Sequence, residues 1–322
     1  MKRLSFLFVI GLIALFPVVH PSPYTLHIAT LIFIWAFIAT AWSYMGRFEL
    51  ISLGHGAFLG IGAYTAGLLF NNAGVSPWVG MILGALIAAG LAGIIGFACF
   101  RFGVIGDYFA LLTLALGEIT TLVLVAFREH TGGSLGFTLN KVEPSLWALK
   151  FTNKVSFYYV SLAFLLAAWF LWIVIDRSKM QKGLRAIGED EIAASTLGVR
   201  IVRYKLYIYM ISASVTSMGG VLYAWYISYI NPHTLSGVGP SLDIAFKSIL
   251  GGMFNLLGPA IGSALIVILE EYVRVVYGAK FVGISQIAYG MVLVLLIMFL
   301  PRGIYGSLSA LFKKMSGLSD RK

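Results

Sequence analysis

Cysteine is almost absent from this chain, and charge is scarce. The one cysteine among 322 residues, Cys99, lies inside an apolar run, so there is neither a disulfide framework nor a cysteine-based metal site. Asp, Glu, Lys and Arg make up 11% of the chain against 59% apolar residues, far below the charged share of a soluble domain. No G-x-x-x-x-G-K-[ST] run appears, which excludes ATP hydrolysis through a phosphate loop, and no H-E-x-x-H or cysteine–histidine spacing points to a metal. Acids and bases inside the apolar runs are too few for an obvious proton relay. The net charge of +10 sits in short segments between apolar runs, where positive-inside topology accounts for it; no nucleic-acid partner is expected. These exclusions leave a passage rather than an enzyme, with no cofactor of its own.

What is present is apolar length. Crossing a hydrocarbon core of about 30 Å takes about 20 apolar residues. Ten segments reach or approach that: 4–20, 24–45, 54–70, 76–100, 105–127, 155–176, 205–230, 241–256, 258–276 and 280–300. The expected fold is all-α, a polytopic membrane protein of about ten transmembrane helices in lipid. Segments 54–70, 241–256 and 258–276 are short or glycine-rich, which also suits broken or re-entrant helices. The start, MKRLSFLFVIGLIALF, has the form of a signal peptide, but Phe16 to Pro21 offers no small-x-small cleavage site, so it reads as a retained first helix.

With the start inside, the outer loops carry Arg128, Lys141, Lys150, Lys154 and Lys280. The inner segments carry Lys2, Arg3, Arg47, Arg101, the cations of 176–205, Arg302, Lys313, Lys314, Arg321 and Lys322. That bias places both termini in the cytoplasm. The chain divides into a first half (1–127), an outer loop (128–154), a second half (155–300) and a short basic tail (301–322). Five segments per half make the halves enter the membrane from opposite sides, so a structural repeat would be inverted. Glycine-rich blocks at 52–64 and 250–262 hint at such a repeat. The centre of the outer loop, Thr131-Gly-Gly-Ser-Leu-Gly136, reads as flexible and suited to an external partner.

The most charged stretch is DRSKMQKGLRAIGEDEIAASTLGVRIVRYK (176–205), with Arg177, Lys179, Lys182, Arg185, Arg200, Arg203 and Lys205 against Asp176, Glu189, Asp190 and Glu191. Its inner part, 177–204, is a cytoplasmic loop with structure of its own. Leu184, Ile187, Ile192 and Leu197 recur at roughly helical spacing, Gly183 and Gly188 interrupt them, and Gly198 ends them as a C-cap glycine would. Two short amphipathic helices with an apolar stripe and no partner within the loop are expected, and such a stripe needs a groove. Ala193 and Ala194 would permit close approach. The acidic trio Glu189, Asp190 and Glu191 argues against an anionic lipid surface as that groove.

Candidate pathway residues are the polar groups stranded in apolar segments. Ser52 and His55 stand at a span entrance, among glycines that leave one helix face bare. Glu118 lies near the centre of 105–127 with Thr113, Thr120 and Thr121 nearby. An acid at a helix centre costs roughly 2.5–3.5 kcal/mol, so Glu118 is expected to face a buried, polar or solvated space. Asn255 sits in a glycine-rich break, where freed backbone groups could line a cavity. Asp243 with Lys247, and Glu270 with Arg274, are spaced to pair at i and i+4. Pro259 after Gly258 marks a helix restart.

Four blocks in this order carry a family resemblance: SLGHGAFLGIGAY (52–64), GDYFALLTLALGEI (106–119), GLRAIGEDEIAASTLGV (183–199) and LGGMFNLLGPAIGSALIVILEE (250–271). They resemble the membrane permease subunits of ABC importers for branched-chain amino acids, the LivM type, over nearly the whole chain. Ile192-Ala-Ala-Ser-Thr-Leu-Gly198 also looks like the EAA-x-x-x-G loop of ABC importer permeases, with Ile192 where the glutamate belongs and Glu191 just before it. The resemblance implies a bacterial inner-membrane importer of two homologous permeases, two cytoplasmic ATPases that consume the ATP, and an extracytoplasmic solute-binding protein. It implies that Gly183, Leu184, Arg185, Glu189, Asp190, Glu191, Ala193, Ala194 and Gly198 couple to an ATPase. Permeases for urea and short amides are closely similar alternatives. An ion-coupled secondary transporter with broken helices and a channel are rivals from other classes.

Overall fold

The computed structural model describes residues 11, 13–19, 21–140, 142–277, 290, 291, 303, 304 and 306. The described chain is almost entirely helical. A 3-10 turn at Phe16–Val19 precedes α1 (Pro23–Gly46), α2 (His55–Ala73), α3 (Pro77–Arg101) and α4 (Gly106–Ala126). After a folded loop come α5 (Lys154–Arg177), α6 (Lys179–Glu189), α7 (Glu191–Thr196), α8 (Ile201–Ile227), α9 (Val238–Gly251) and α10 (Gly258–Tyr277). Helices α1, α3, α4, α5 and α8 are long and apolar enough to cross a membrane. The expected segments 24–45 to 258–276 all correspond to helices. Segment 4–20 is described only in its second half, and 280–300 lies outside the described residues except for 290 and 291.

Local sequence explains where these helices begin. Ser22 and Ser76 cap α1 and α3 through their hydroxyls, each followed by a proline at the first helical position. Asn153 and Ser178 cap α5 and α6 in the same way. Stranded hydroxyls bond back to their own helix: Thr30 to the Leu26 carbonyl, Thr40 to Ala36 and Ser43 to Ala39. Each removes an unpaired donor from an apolar interior.

α1 is the hub. Every residue from Phe33 to Gly46 is buried, as befits a helix apolar all round. Over its most apolar stretch 72% is buried, against 33% for α3 and for α4, which therefore lie at the periphery. α1 packs on α5, α8, α9 and α10, while α8 also packs on α2 and α3. Close approach depends on missing side chains: a Cβ on Gly62 would collide with the Ser217 carbonyl of α8, and one on Gly220 with the Leu59 carbonyl of α2.

The helices run alternately between two ends. At one lie His27, Lys154, Trp225 and Tyr226, which share a cavity. At the other, Arg47, Phe48, Asp176, Arg185 and Phe254 surround a cavity of about 150 Å³. The breaks 47–54 and 252–257 thus both turn at the Arg47 end. The glycine-rich blocks 52–64 and 250–262 belong to two hairpins of the same direction, so they are not counterparts in an inverted five-plus-five repeat. With 14 residues, α9 is about 21 Å long, too short to span a bilayer core alone.

The centre of the outer loop, expected to be flexible, folds into a hydrogen-bonded turn. Thr131 is buried, and its hydroxyl donates to the carbonyls of Leu124 and Phe127, at 2.6 and 2.9 Å. Gly132, Gly133 and Gly136 all have φ near +70° (74, 60 and 68°), so their role is a tight turn rather than mobility. The turn feeds β1 (Phe137–Thr138), which pairs antiparallel with β2 (Tyr229–Ile230) and clamps the loop over the His27 end.

Candidate functional site

Ser52, His55 and Thr113 come together in a polar knot, all fully buried. Trp42 of α1 donates its indole N–H to the Ser52 carbonyl at 2.8 Å, drawing the break 47–54 inward. The Thr113 hydroxyl of α4 donates to the Ala110 carbonyl and accepts from the Leu53 amide at 3.0 Å. His55 sits 2.8 Å through Nε2 from the Ser212 hydroxyl of α8 and 3.1 Å through Nδ1 from the Ser52 hydroxyl. Ser212 spends its proton on the Ala41 carbonyl at 2.7 Å, so its oxygen accepts from Nε2–H. Nδ1 faces the Ser52 hydroxyl, so both ring nitrogens are used. α2 therefore starts at the level of Ala41 and Ser212, well inside α1 and α8. Histidine here is an anchor joining α1, α2 and α8, and no face of it is open to a passing solute.

Glu118 lies elsewhere on α4. Thr113, Gly117 and Thr121 recur every fourth residue and form the packed face; Thr121 meets the Ser236 hydroxyl at 2.9 Å, and Gly117 lies against the Gly237 carbonyl. The opposite face is bare, with Leu111, Ile119 and Leu122 at 61, 57 and 59% exposure. Glu118 is exposed at the edge of that face beside Gly237. The expected buried or solvated space is not formed among the described residues; the carboxylate stands exposed, mid-helix. Asn255 is apart from all these, half-buried in the break 252–257, where its backbone bonds Gly252 and Gly258.

The loop after α5 folds into two helices, as the spacing predicts, but its apolar stripe is split. Leu184 and Ile187 are 1 and 7% exposed, packed in one cluster with Trp172, Ile175 and Ile208 of their own chain. Gly183 lets α6 lie on the Tyr204 ring, which a Cβ would approach to 3.1 Å. Ala194 is 2% exposed and belongs to the same cluster. Ile192 and Leu197, by contrast, are 79 and 82% exposed. The stripe, expected to have no partner within the loop, is covered for half its length by α5 and α8 of its own chain, and Ala194 serves that internal packing. Asp190 caps α7 with its carboxylate, accepting from the Ile192 and Ala193 amides at 2.8 and 2.9 Å. Glu191 is taken by Lys205 at 2.6 Å, an intrachain pair that holds α7 on α8. Arg185, Glu189 and Ala193 are exposed, and Gly198 turns with φ +80°.

Two charged groups carry more structure than their sequence context revealed. Arg47 bonds Asp176 at 2.7 Å and stacks over Trp172, 4.0 Å from the ring centroid. Burial lowers its pKa and the Asp176 carboxylate opposes that shift. The signal was there: a cation just past one apolar segment and an acid at the end of another. Lys247, with no exposed side-chain surface, pairs with Asp243 as expected and also faces Glu270 at 3.7 Å. Its ammonium lies 4.3 Å from the Trp35 ring centroid. Arg274 pairs with Glu271 at 2.7 Å rather than with Glu270, because Glu270 turns towards Lys247.

The described residues form a helical bundle with a folded loop at its most basic end. A family model described as branched-chain amino acid transport system / permease component matches residues 24–301. The chain belongs to that family. It is 29% identical over 85% of its length, and 68% of the relative, to the high-affinity branched-chain amino acid transport system permease protein LivM of Salmonella typhimurium. The Escherichia coli LivM is also 29% identical, over 87% of this chain and 69% of that protein. A guanosine ABC transporter permease of Bacillus subtilis, NupQ, is 27% identical over 74% of this chain and 77% of its own length. No solved structure matches the chain.

Proposed function

We propose that this chain is the permease subunit of an ABC importer for branched-chain amino acids, in which a second, homologous permease completes the membrane pathway. The observation that carries the reading is the family match across 24–301, with LivM proteins similar over most of the chain. Helix α4 supports the two-permease part. Beyond its first turn, which carries Asp107, its outer face is apolar except for Glu118, and an acid in mid-membrane does not face lipid at acceptable cost. A second permease on that face would enclose Glu118 in a shared, watered path. The Arg47 end, near Arg101, Arg177, Lys182, Arg200 and Arg203, is read as the cytoplasmic one, and positive-inside bias assigns both termini to that side. The protein is read as about ten spans in the inner membrane, with segments 4–20 and 280–300 as the first and last.

Coupling is assigned to α7. A cytoplasmic ATPase would receive Ile192 and Leu197, with Ala193 close to its surface and Glu189 and Arg185 at the rim. Leu184, Ala194 and Glu191 transmit force by fixing α6 and α7 to the bundle. ATP is used by the ATPases, and a solute-binding protein would deliver substrate to the His27 end, over the clamped loop 128–153. The guanosine permease relative favours a nucleoside as the second reading. Reconstitution with the partner subunits and competition of labelled leucine uptake by unlabelled valine and by guanosine tests the assignment. Valine competing and guanosine not competing supports it; the reverse selects the nucleoside.

A further inference from the structure

The peripheral helix α3 and the start of α8 meet at the Arg47 end in a groove that transport leaves unused. The last turns of α3 supply Phe97 and Arg101, and the first turns of α8 supply Arg200, Arg203 and Tyr207, around a cavity of about 580 Å³. Two other cations of this end have intrachain roles, Arg47 holding Asp176 and Lys205 holding Glu191, while the exposed Arg177, Lys179, Lys182 and Arg185 do not line this groove. Arg101, Arg200 and Arg203 have no ion-pair partner among the described residues, and all three are exposed. Positive-inside topology needs cations near this end but does not require three of them to converge on one groove, nor all to be arginine. A guanidinium offers a planar fork of donors that matches a phosphate, which a lysine ammonium does not.

The groove is open on its membrane side. Phe97 and Tyr207 are 54 and 49% exposed and line it one turn inward of the arginines. Beyond Phe97 the bare face of α3 continues through Ile94, Leu86 and Ile82 at 72, 63 and 58% exposure. Cations above an aromatic rim and an apolar strip below are the two chemistries of a phospholipid, in the right order along the membrane normal. We infer that this groove binds an anionic phospholipid, with the headgroup phosphate among Arg101, Arg200 and Arg203 and an acyl chain along α3. The inference rests on the membrane orientation given above, but not on the identity of the transported solute.

The test uses the complete transporter in nanodiscs of mixed phosphatidylglycerol and phosphatidylcholine, reading retained lipid by native mass spectrometry. Wild type should retain phosphatidylglycerol in preference to phosphatidylcholine, and R101Q/R200Q/R203Q should lose that preference by about fivefold per arginine. R101K/R200K/R203K, which keeps the charge, should recover part of it, and R128Q/K150Q/K154Q at the opposite end should behave as wild type. Three outcomes would overturn the inference. The glutamine triple could keep the wild-type preference. It could shed the ATPase subunits with lipid retention unchanged, which would give the arginines to a protein partner. Or inorganic phosphate alone could abolish the preference in wild type, which would make the groove a site for a soluble anion. Leucine uptake, measured in parallel, separates failure of the transport reading from failure of this one.

Discussion

Replacing His55 with alanine separates an anchor from a pathway ligand. The wild-type imidazole is fully buried and bonds Ser212 and Ser52 at 2.8 and 3.1 Å. Two buried hydrogen bonds contribute about 1 kcal/mol each, and hydroxyls that lose a partner where no solvent reaches cost about 1 kcal/mol or more. His55 also meets Phe58 edge-on, with centroids 5.5 Å apart, a geometry worth about 0.5–1.5 kcal/mol. The cavity left behind adds to this, so H55A should destabilise the permease by about 3–4 kcal/mol. H55Q, whose amide can reach Ser212, should recover roughly half. Thermal unfolding of the purified transporter in nanodiscs reads the loss, and uptake per folded molecule reads the function. The anchor account expects lower stability with an unchanged KM for substrate. Wild-type stability with an altered KM would refute it and return His55 to the pathway.

Four further outcomes follow from the same geometry. K247M removes the ammonium between Asp243 and Glu270 and should cost about 3 kcal/mol, whereas D243N/K247M/E270Q should recover most of it; a melt in which the triple is as weak as the single would contradict this. I192E should release the ATPase in a pull-down without lowering the melting temperature, because Ile192 is 79% exposed. L184A should instead destabilise the permease by about 2–3 kcal/mol, since that side chain is buried in its own bundle. E118L should leave the isolated permease as stable as wild type, yet reduce uptake more than tenfold; normal uptake would show that the α4 face does not border the path.

Composition and apolar periodicity made the helices from 24 to 276 legible, because segment length and hydropathy are properties of the chain itself. The caps at Ser22, Ser76 and Asn153 and the restart at Gly258-Pro259 belong to the same local chemistry. Partner choice was less legible. Leu184 and Ile192 look alike in the sequence, and only the position of α8 decides that one is covered and the other bare. Glu191 could have served a partner protein, but Lys205, 14 residues on, reaches it first. Glu270 and Arg274 have the right spacing, yet Lys247 on a neighbouring helix competes for Glu270. Glycines were ambiguous in the same way: those at 132–136 suggest mobility by composition, while their positive φ values serve a fixed turn. Such choices are made between elements distant in sequence, where spacing carries no information.

The central claim is that this permease works with ATPases to import branched-chain amino acids. Proteoliposomes holding the two permeases and the ATPases, with the solute-binding protein on one side and ATP on the other, measure it directly through labelled leucine uptake. The account predicts accumulation that needs ATP hydrolysis and the binding protein and that collapses with I192E. Accumulation driven by an ion gradient without ATP would contradict it.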